Sequence, residues 1–299
     1  MKIFFNGQSI PGAWGGGNQF IKCLKKYLVT KDMLTNKSDE ADIIFFNSHQ
    51  DFKQIINLKG VYPDKKFVHR IDGPMRLYNN MSDNRDDIVY YLNKSIATAT
   101  VFQSKYSFEK NIDMGITLTP LHTTIHNSVD SDIFYRQTDK KKNNKLNLIA
   151  ASWSPNIRKG FKYYQFLDEN LDFSKYSLSF AGQSPLEFTN IKNLGVLKPE
   201  QLAEQLRLSD VYLTASENDP CSNSLIEALA CGLPVLALNS GGHPELVKHS
   251  GLLFKDETDL FNKIEDLNNN YEQYSTNVEF EDMESVANKY ISFFKEVLK

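Results

Sequence analysis

The sequence predicts an α/β protein of two lobes, each a mostly parallel sheet wrapped by helices. Three observations carry that expectation. Short runs rich in β-branched and aromatic residues alternate with longer stretches at helical spacing, the pattern of strand–helix–strand units. The chain has 299 residues, and at about 150 residues per domain that length suits two. Near the midpoint, Arg136–Lys145 (RQTDKKKNNK) holds no apolar residue, which places a linker or an exposed turn there. The expected division is a first lobe over 1–140, a second over 141–280, and a closing helix over about 281–299.

In chain order, the first lobe offers strands at Lys2–Asn6, Asp42–Phe46, Phe67–Ile71, Ala99–Phe102 and His122–His126. The last of these contains Thr123, Thr124 and Ile125, whose branched Cβ atoms favour a strand. Helical stretches fall at Asn18–Val29, Asp86–Ala97 and Ser104–Asn111. After the polar segment, strands are expected at Leu146–Ala151, Tyr176–Ala181, Asp210–Thr214, Pro234–Leu238 and Leu252–Phe254. Helices are expected at Phe161–Glu169, Pro199–Arg207, Ser224–Cys231 and Thr258–Asn268. Val286, Tyr290, Ile291, Phe294 and Val297 recur at helical spacing and close the chain on an amphipathic helix. Two Rossmann-like lobes facing a cleft follow, with ligands at the carboxyl ends of the strands.

Composition narrows the function classes. With 41% hydrophobic and 24% charged residues, 15 Gly and 10 Pro, the chain is neither collagenous, coiled-coil, low-complexity nor disordered. Lys and Arg number 34 against 37 Asp and Glu, a net charge of −3, so no global field draws nucleic acid or anionic lipid. An anionic ligand has to be met locally. Cys23, Cys221 and Cys231 form an odd, scattered set without CxxC or metal-ligand spacing, which points to a reducing, cytoplasmic setting and to no metal. The start of the chain lacks the apolar stretch of a signal peptide, and no apolar window is long enough to span a bilayer.

Ser216–Val235 (SENDPCSNSLIEALACGLPV) is the stretch richest in chemistry. A strand ends, a polar loop follows, a helix begins near Ser222–Ser224, and Gly232 with Pro234 stops it. Such a helix start offers N–H groups and a positive dipole end to a phosphate. Asp219 and Glu227 flank it; carboxylates repel bare phosphate but accept hydrogen bonds from sugar hydroxyls. Local geometry explains the same residues, since Ser224-x-x-Glu227 has the form of a capping box and Asp219 precedes Pro220 in a turn.

DPCSNSLIEALACGLPVLALNSGGHPELV resembles the donor-site signature of retaining glycosyltransferases of the two-lobed GT-B type, family 4. The matching positions are Asp219, Glu227, Gly232, Pro234, Val235, Gly241, Gly242, Pro244 and Glu245, with Asp219 standing where the family usually has Glu. Ser152–Tyr164 is similar to the family's donor-lobe turn, in which a lysine before a glycine, here Lys159, meets the donor diphosphate. The arginine that many members carry five residues earlier is Ser154 here, and Asn156 is the neutral donor nearby. Gly15-Gly16-Gly17 lacks the GxGxxG spacing and matches the loop that reaches donor phosphates, while Val68–Pro74 resembles the strand end carrying an acceptor-side polar residue, here Asp72. Gly182, at a strand end, and Val196 with Leu197, in the segment that holds the nucleotide base, complete the resemblance.

The resemblance implies a metal-independent transferase that moves a sugar from a nucleotide diphosphate donor, a UDP-sugar by family base rate, to an acceptor hydroxyl of a glycan or a lipid-linked glycan. No cofactor is permanently bound. Asp72, Lys159 and Asp219 would be catalytic. Gly16, Gly17, Asn156, Lys159, Gly182, Val196, Leu197, Cys221, Ser222, Asn223, Ser224 and Glu227 would bind donor. A nucleotide-sugar epimerase and a non-catalytic nucleotide-sugar-binding module are the competing readings on the same fold. Asp130-Ser131-Asp132 imitates a DxD metal motif but lies beside the expected linker, and His122 and His126, four apart on a strand, stand too far apart to share one ion. Lys22, Lys25 and Lys26 on the first helix suggest a weak peripheral membrane contact.

Overall fold

The computed structural model describes residues 1–7, 16–138 and 142–299. The chain forms two compact units: one takes in the first strand, Phe20–Asn127 and Met283–Lys299, the other Ser128–Asp282 with the described residues 16–19. In the first unit run β1 (Ile3–Phe5), α1 (Gly16–Thr30) from Phe20 on, β2 (Ile43–Asn47), α2 (Phe52–Val61), β3 (Lys66–Ile71), α3 (Met75–Tyr78), α4 (Arg85–Ser95), β4 (Ala99–Phe102), α5 (Lys105–Asp113) and β5 (Leu121–Thr124). Its five-stranded sheet follows chain order, β1-β2-β3-β4-β5, with every pairing parallel.

The second unit contains β6 (Leu146–Ser152), a 3₁₀ turn (Ile157–Lys159), α6 (Phe161–Asn170), β7 (Tyr176–Gly182), β8 (Lys192–Gly195), α7 (Pro199–Leu208), β9 (Val211–Thr214), α8 (Asn223–Ala230), β10 (Val235–Leu238), α9 (His243–Val247), β11 (Gly251–Phe254), α10 (Glu257–Asn269) and α11 (Tyr271–Thr276). The closing helix, α12 (Met283–Val297), belongs to the first unit. The second sheet has the order β11-β10-β9-β6-β7-β8, all parallel. The chain enters at β6, proceeds outward to β8 and returns to the other side at β9. Strand order therefore reverses between β6 and β9, which is where α/β sheets open a ligand crevice at their carboxyl ends.

Burial explains why the strands form where they do. β2 is buried at every position, so Ile43-Ile44-Phe45-Phe46 is a continuous apolar run covered on both faces. In the first core Leu24 and Leu28 of α1 meet Phe45, Val68 and the apolar stripe of α12, namely Val286, Tyr290 and Phe294. Phe45 lies edge-on to Tyr290 at 6.0 Å and to Phe294 at 5.9 Å. In the second unit Tyr164 packs against Phe180 at 5.3 Å, and its hydroxyl accepts from the Ala215 N–H at 3.2 Å.

Several expectations need correction. Arg136–Lys145, expected as a linker or an exposed turn, is exposed at residues 136–138 and fastened by hydrogen bonds where it is described. Arg136 donates to Ser275 O at 3.0 Å, Lys142 to Asn268 O at 2.7 Å, and Asn143 Nδ2 to Asp210 Oδ1 at 3.0 Å. Polarity signalled exposure, but long side chains use the same polarity to fasten a segment, and the units divide earlier, at Asn127 and Ser128. The helices α2, α3, α9 and α11 and the strand β8 are additions to the expected set. A lipid-facing trio of lysines is not present either: Lys25 turns inward, its Nζ 5.2 Å from the Phe5 ring, where burial lowers its pKa. Among the described residues no helix is long and apolar enough to cross a membrane.

One buried carboxylate fastens the second unit. Asp168 accepts from the N–H groups of Thr189 at 2.8 Å, Asn190 at 2.8 Å and Ile191 at 2.7 Å. Burial alone would raise its pKa; the three N–H groups outweigh it and lower the value. An acid with a depressed folded pKa stabilises above its unfolded pKa, and that stability is lost as pH falls through the folded value. Asp168→Ala, which strands the N–H groups, should cost about 2–4 kcal/mol at pH 7 in chemical denaturation, and the difference from the parent should shrink as pH falls below the usual carboxylate value.

Candidate functional site

At the carboxyl edge of the second sheet, two loops are drawn together by backbone. After β6, the Asn156 side chain accepts from the Arg158 N–H at 3.0 Å and starts the 3₁₀ turn that ends at Lys159. Gly160 follows at φ 79°, and a Cβ there would stand 2.1 Å from Ala215 O, at the end of β9. Only glycine permits that approach. Glu217 N donates to Arg158 O at 2.7 Å, which ties the loop after β9 to the same turn. Lys159 is thereby aimed across the switch point, and its Nζ lies 3.0 Å from Asp219 Oδ2.

Asp219 is gripped from its other side. Its Oδ1 accepts from Cys221 N at 3.2 Å, and its carbonyl accepts from Gly242 N at 2.8 Å. A Cβ on Gly241, which has φ 62°, would stand 2.3 Å from Asp219 O. Burial pushes the Asp219 pKa up, but Lys159 and the Cys221 N–H bring it below the usual carboxylate value, so the group is ionised. His243 is fully buried, and its Nδ1 donates to Leu238 O at 2.8 Å. Burial lowers its pKa, so the ring is neutral and Nε2 keeps a lone pair that meets no partner.

Helix α8 opens at Ser222 with no side-chain cap, so Ser224 and Glu227 both lie inside the helix and the capping box read from the sequence is not formed. Glu227 takes no hydrogen bond from a described residue, and burial alone raises its carboxyl pKa to about 8. The two carboxyls, one ion-paired and one desolvated, thus differ in charge state near neutrality. That contrast comes from environment, because their intrinsic acidities are close.

The remaining expected residues are distributed as follows. Cys221 and Ser222 are buried at the mouth of α8, with Asn223 and Ser224 partly buried in its first turn. Gly182 has φ 114°, and a Cβ would stand 1.9 Å from Ser152 O, so this glycine is required by the packing of β7 on β6. Val196 is exposed and Leu197 partly buried just beyond β8. Gly16 and Gly17 begin α1, with nothing within 4 Å of a Cβ on Gly17, while Gly15 lies outside the described residues. Asp72 belongs to the first unit, at the end of β3, where Arg70 Nη1 donates to its Oδ1 at 3.0 Å. His69 is core: it stacks on Phe46 at 4.2 Å, and burial lowers its pKa to about 4. His122 stacks on Phe108 at 5.6 Å on β5. Among the described residues no group of three acidic, His or Cys side chains is arranged to hold a metal. Sequence reasoning missed His243, although it stands inside the Gly-Gly-x-Pro-Glu turn; the variable position of a motif carries no signal until its neighbours are placed.

Comparison with known proteins gives a consistent outcome. Residues 150–270 match the family described as Glycosyl transferases group 1. N-acetyl-alpha-D-glucosaminyl L-malate synthase of Bacillus anthracis is 28% identical over 144 residues, a match spanning 42% of this chain and 38% of that protein. The solved structure of HepE from Anabaena in complex with UDP and glucose superposes with a TM-score of 0.75 at 16% identity, covering 99% of this chain and 100% of that one. Sucrose-phosphate synthase from Thermosynechococcus elongatus does so at 0.68 and 15% identity, covering 97% and 82%. The pneumococcal O-GlcNAc transferase GtfA, in complex with UDP and GlcNAc, gives 0.65 at 15% identity over 92% of this chain and 60% of that one. The fold is GT-B.

The raised pKa of Glu227 has a thermal consequence. Between its usual value of 4.5 and about 8 the folded state holds a proton that the unfolded state has released. Stability therefore falls as pH rises through that window. Glu227→Gln should melt higher than the parent at pH 8, by roughly 2–4 °C per kcal/mol recovered, and match it near pH 4.5 in differential scanning fluorimetry.

Proposed function

With a second lobe that matches glycosyl transferases group 1 and a GT-B fold as premises, we propose that this chain is a retaining glycosyltransferase. It moves a sugar from a nucleotide diphosphate donor, a UDP-sugar, to a hydroxyl of a glycan or lipid-linked acceptor. The observation that carries the reading is the Lys159–Asp219 pair at the carboxyl edge of β6 and β9, beside the start of α8, the helix that carries Glu227. UDP in the HepE and GtfA complexes supports the choice of nucleotide. Cys23, Cys221 and Cys231 are buried and not joined in a disulfide, which supports a reducing cytoplasmic setting.

In the free protein Asp219 neutralises Lys159. The entering diphosphate takes over the lysine, and the donor sugar's hydroxyls donate to the carboxylate so released. The site exchanges an internal ion pair for ligand contacts, with the charge in excess of the lysine met by neutral N–H and O–H donors. As the bond from the anomeric carbon to the diphosphate breaks, negative charge grows on the leaving group, and Lys159 with the positive end of α8 stabilises it. Glu227 accepts from the ribose hydroxyls, and Asp72 is the carboxylate on the acceptor side. The lysine and the helix end supply this stabilisation without a metal, and no permanently bound cofactor enters the scheme.

A thermal-shift panel of UDP, GDP, ADP and dTDP tests the donor, with UDP expected to raise the melting temperature most. Lys159→Ala should weaken UDP by about 10- to 100-fold, the range expected for losing a hydrogen bond to a charged group of about 1.5–3 kcal/mol. Unchanged UDP affinity in that variant would sink the assignment. Retention is read from the anomeric configuration of the product by NMR, and donor incubated alone separates transfer from epimerisation.

A further inference from the structure

The amino edge of the second sheet holds a groove of about 440 Å³ that the donor turn does not use. Its residues open the strands: Asn147 stands near the start of β6, Ser177 and Ser179 on the first half of β7, and Lys192 opens β8. β6 runs on to Ser152 before the loop to Lys159 departs, so at about 3.3 Å per residue roughly 16 Å of strand separates groove from turn. The volume falls within the range of small-molecule sites, about 300–1,000 Å³.

The groove exists because the helices leave one face of β7 uncovered. Along Tyr176–Gly182 the side chains alternate: Leu178 and Phe180 are buried in a core shared with α6 and α10, whereas Ser177 and Ser179 are only partly buried. Residues 183–191, which connect β7 to β8, contain no helix, and Leu186 and Phe188 among them pack on that same core. On the opposite face α7 covers Ile149 of β6 with Ala203 and Leu206, and its Gln205 lines the groove. Register sets Asn147 beside Ser177 and Ser179 beside Lys192, so these four share the uncovered face.

Charge along this strip has one sign. Lys145 and Lys192 line it, and among the described residues no carboxylate does. Lys145 Nζ donates to Phe173 O, which occupies one of its three protons, and Lys192 is exposed and makes no ion pair with a described residue. The adjoining carboxylates are turned to other donors. Asp168 takes the three N–H groups given above, and Asp210 accepts from Asn147 N at 2.8 Å and from Asn143 Nδ2 at 3.0 Å. The carbonyl end of α7 is capped as well: Ser209 Oγ donates to Gln205 O at 2.8 Å, Ser209 N to Leu206 O at 3.0 Å, and Asn143 Nδ2 to Leu208 O at 3.3 Å.

We infer that this groove binds a phosphorylated sugar, with its phosphate on Lys145 and Lys192 and its ring hydroxyls on Asn147, Ser177, Ser179 and Gln205. A phosphate ester carries about two negative charges near neutrality, which suits two ammoniums that only donate. Sugar hydroxyls donate and accept at once, as amides and serines do. A neutral sugar would leave both lysines unused, and bare phosphate would leave most of the groove unfilled. The groove is separate from the donor turn, so the inference does not rest on the transferase reading.

The full chain is titrated by isothermal calorimetry with glucose-1-phosphate, glucose-6-phosphate and N-acetylglucosamine-1-phosphate, beside glucose and inorganic phosphate, with and without saturating UDP. At least one phosphorylated sugar should bind saturably, about tenfold or more tighter than glucose or phosphate, and UDP should not displace it. Lys192→Glu, at an exposed position on the edge strand, and Ser179→Val should each weaken it about tenfold or more. Circular-dichroism melts that match the parent report that both variants are folded. Binding by none of the three, displacement by UDP, inorganic phosphate or glucose binding as tightly, or affinity unchanged in both variants would overturn the inference and leave the donor reading untouched.

Discussion

The second unit is organised around one salt bridge, and three close backbone approaches exist to hold it. Lys159 reaches Asp219 because Gly160 lets its turn lie against Ala215 O, and Asp219 stays in reach because Gly241 lies against its own carbonyl. Gly182 packs on Ser152 and fixes the strand end from which the lysine loop departs. A side chain at any of the three would meet backbone, which cannot swing aside as a flexible side chain does. The glycines are thus the structural side of the electrostatics. They set a cation from a single 3₁₀ turn and an anion from a loop at hydrogen-bond distance.

That pair also decides how the neighbouring ionisable groups behave. Asp219 stays charged because Lys159 compensates it, whereas Glu227, a short distance on in α8, has burial without compensation and is driven toward its neutral form. His243, buried near Asp219 and Lys159, donates through Nδ1 to Leu238 O and keeps Nε2 unprotonated. One cation therefore serves one carboxylate, and the remaining groups are held uncharged by burial. A net charge of −3 for the whole chain is no obstacle to an anionic ligand under this arrangement, since the attraction is local.

Much of this was legible in the amino-acid sequence, for reasons that also mark where legibility stops. Strands such as Ile43–Asn47 announce themselves as continuous apolar runs, and helices such as Met283–Val297 by a helical period, because burial dictates which positions are apolar. β8, with the sequence KNLG, is polar and exposed at the sheet edge, and α9 is five residues long with Pro244 inside it, so neither has a period to read. Lys159, Asp219 and Glu227 were legible through a local motif. The Arg70 cluster was not, because its partners Asn47, Gln103 and Asn127 come from other strand ends, 23, 33 and 57 residues away in the chain. Spacing on that scale is fixed by sheet order and not by local sequence pattern.

The two units answer the same problem differently. A carboxyl edge of a parallel sheet gathers polar side chains, and burying them is costly unless each finds a partner. In the second unit Lys159 and Asp219 partner each other, so a charged ligand must displace an internal bond to reach the lysine. In the first, the charges are matched through Arg70 and Asp72, but amide, imidazole and guanidinium atoms beside them are left unmet. Displacement favours a ligand with charge enough to compete for a lysine.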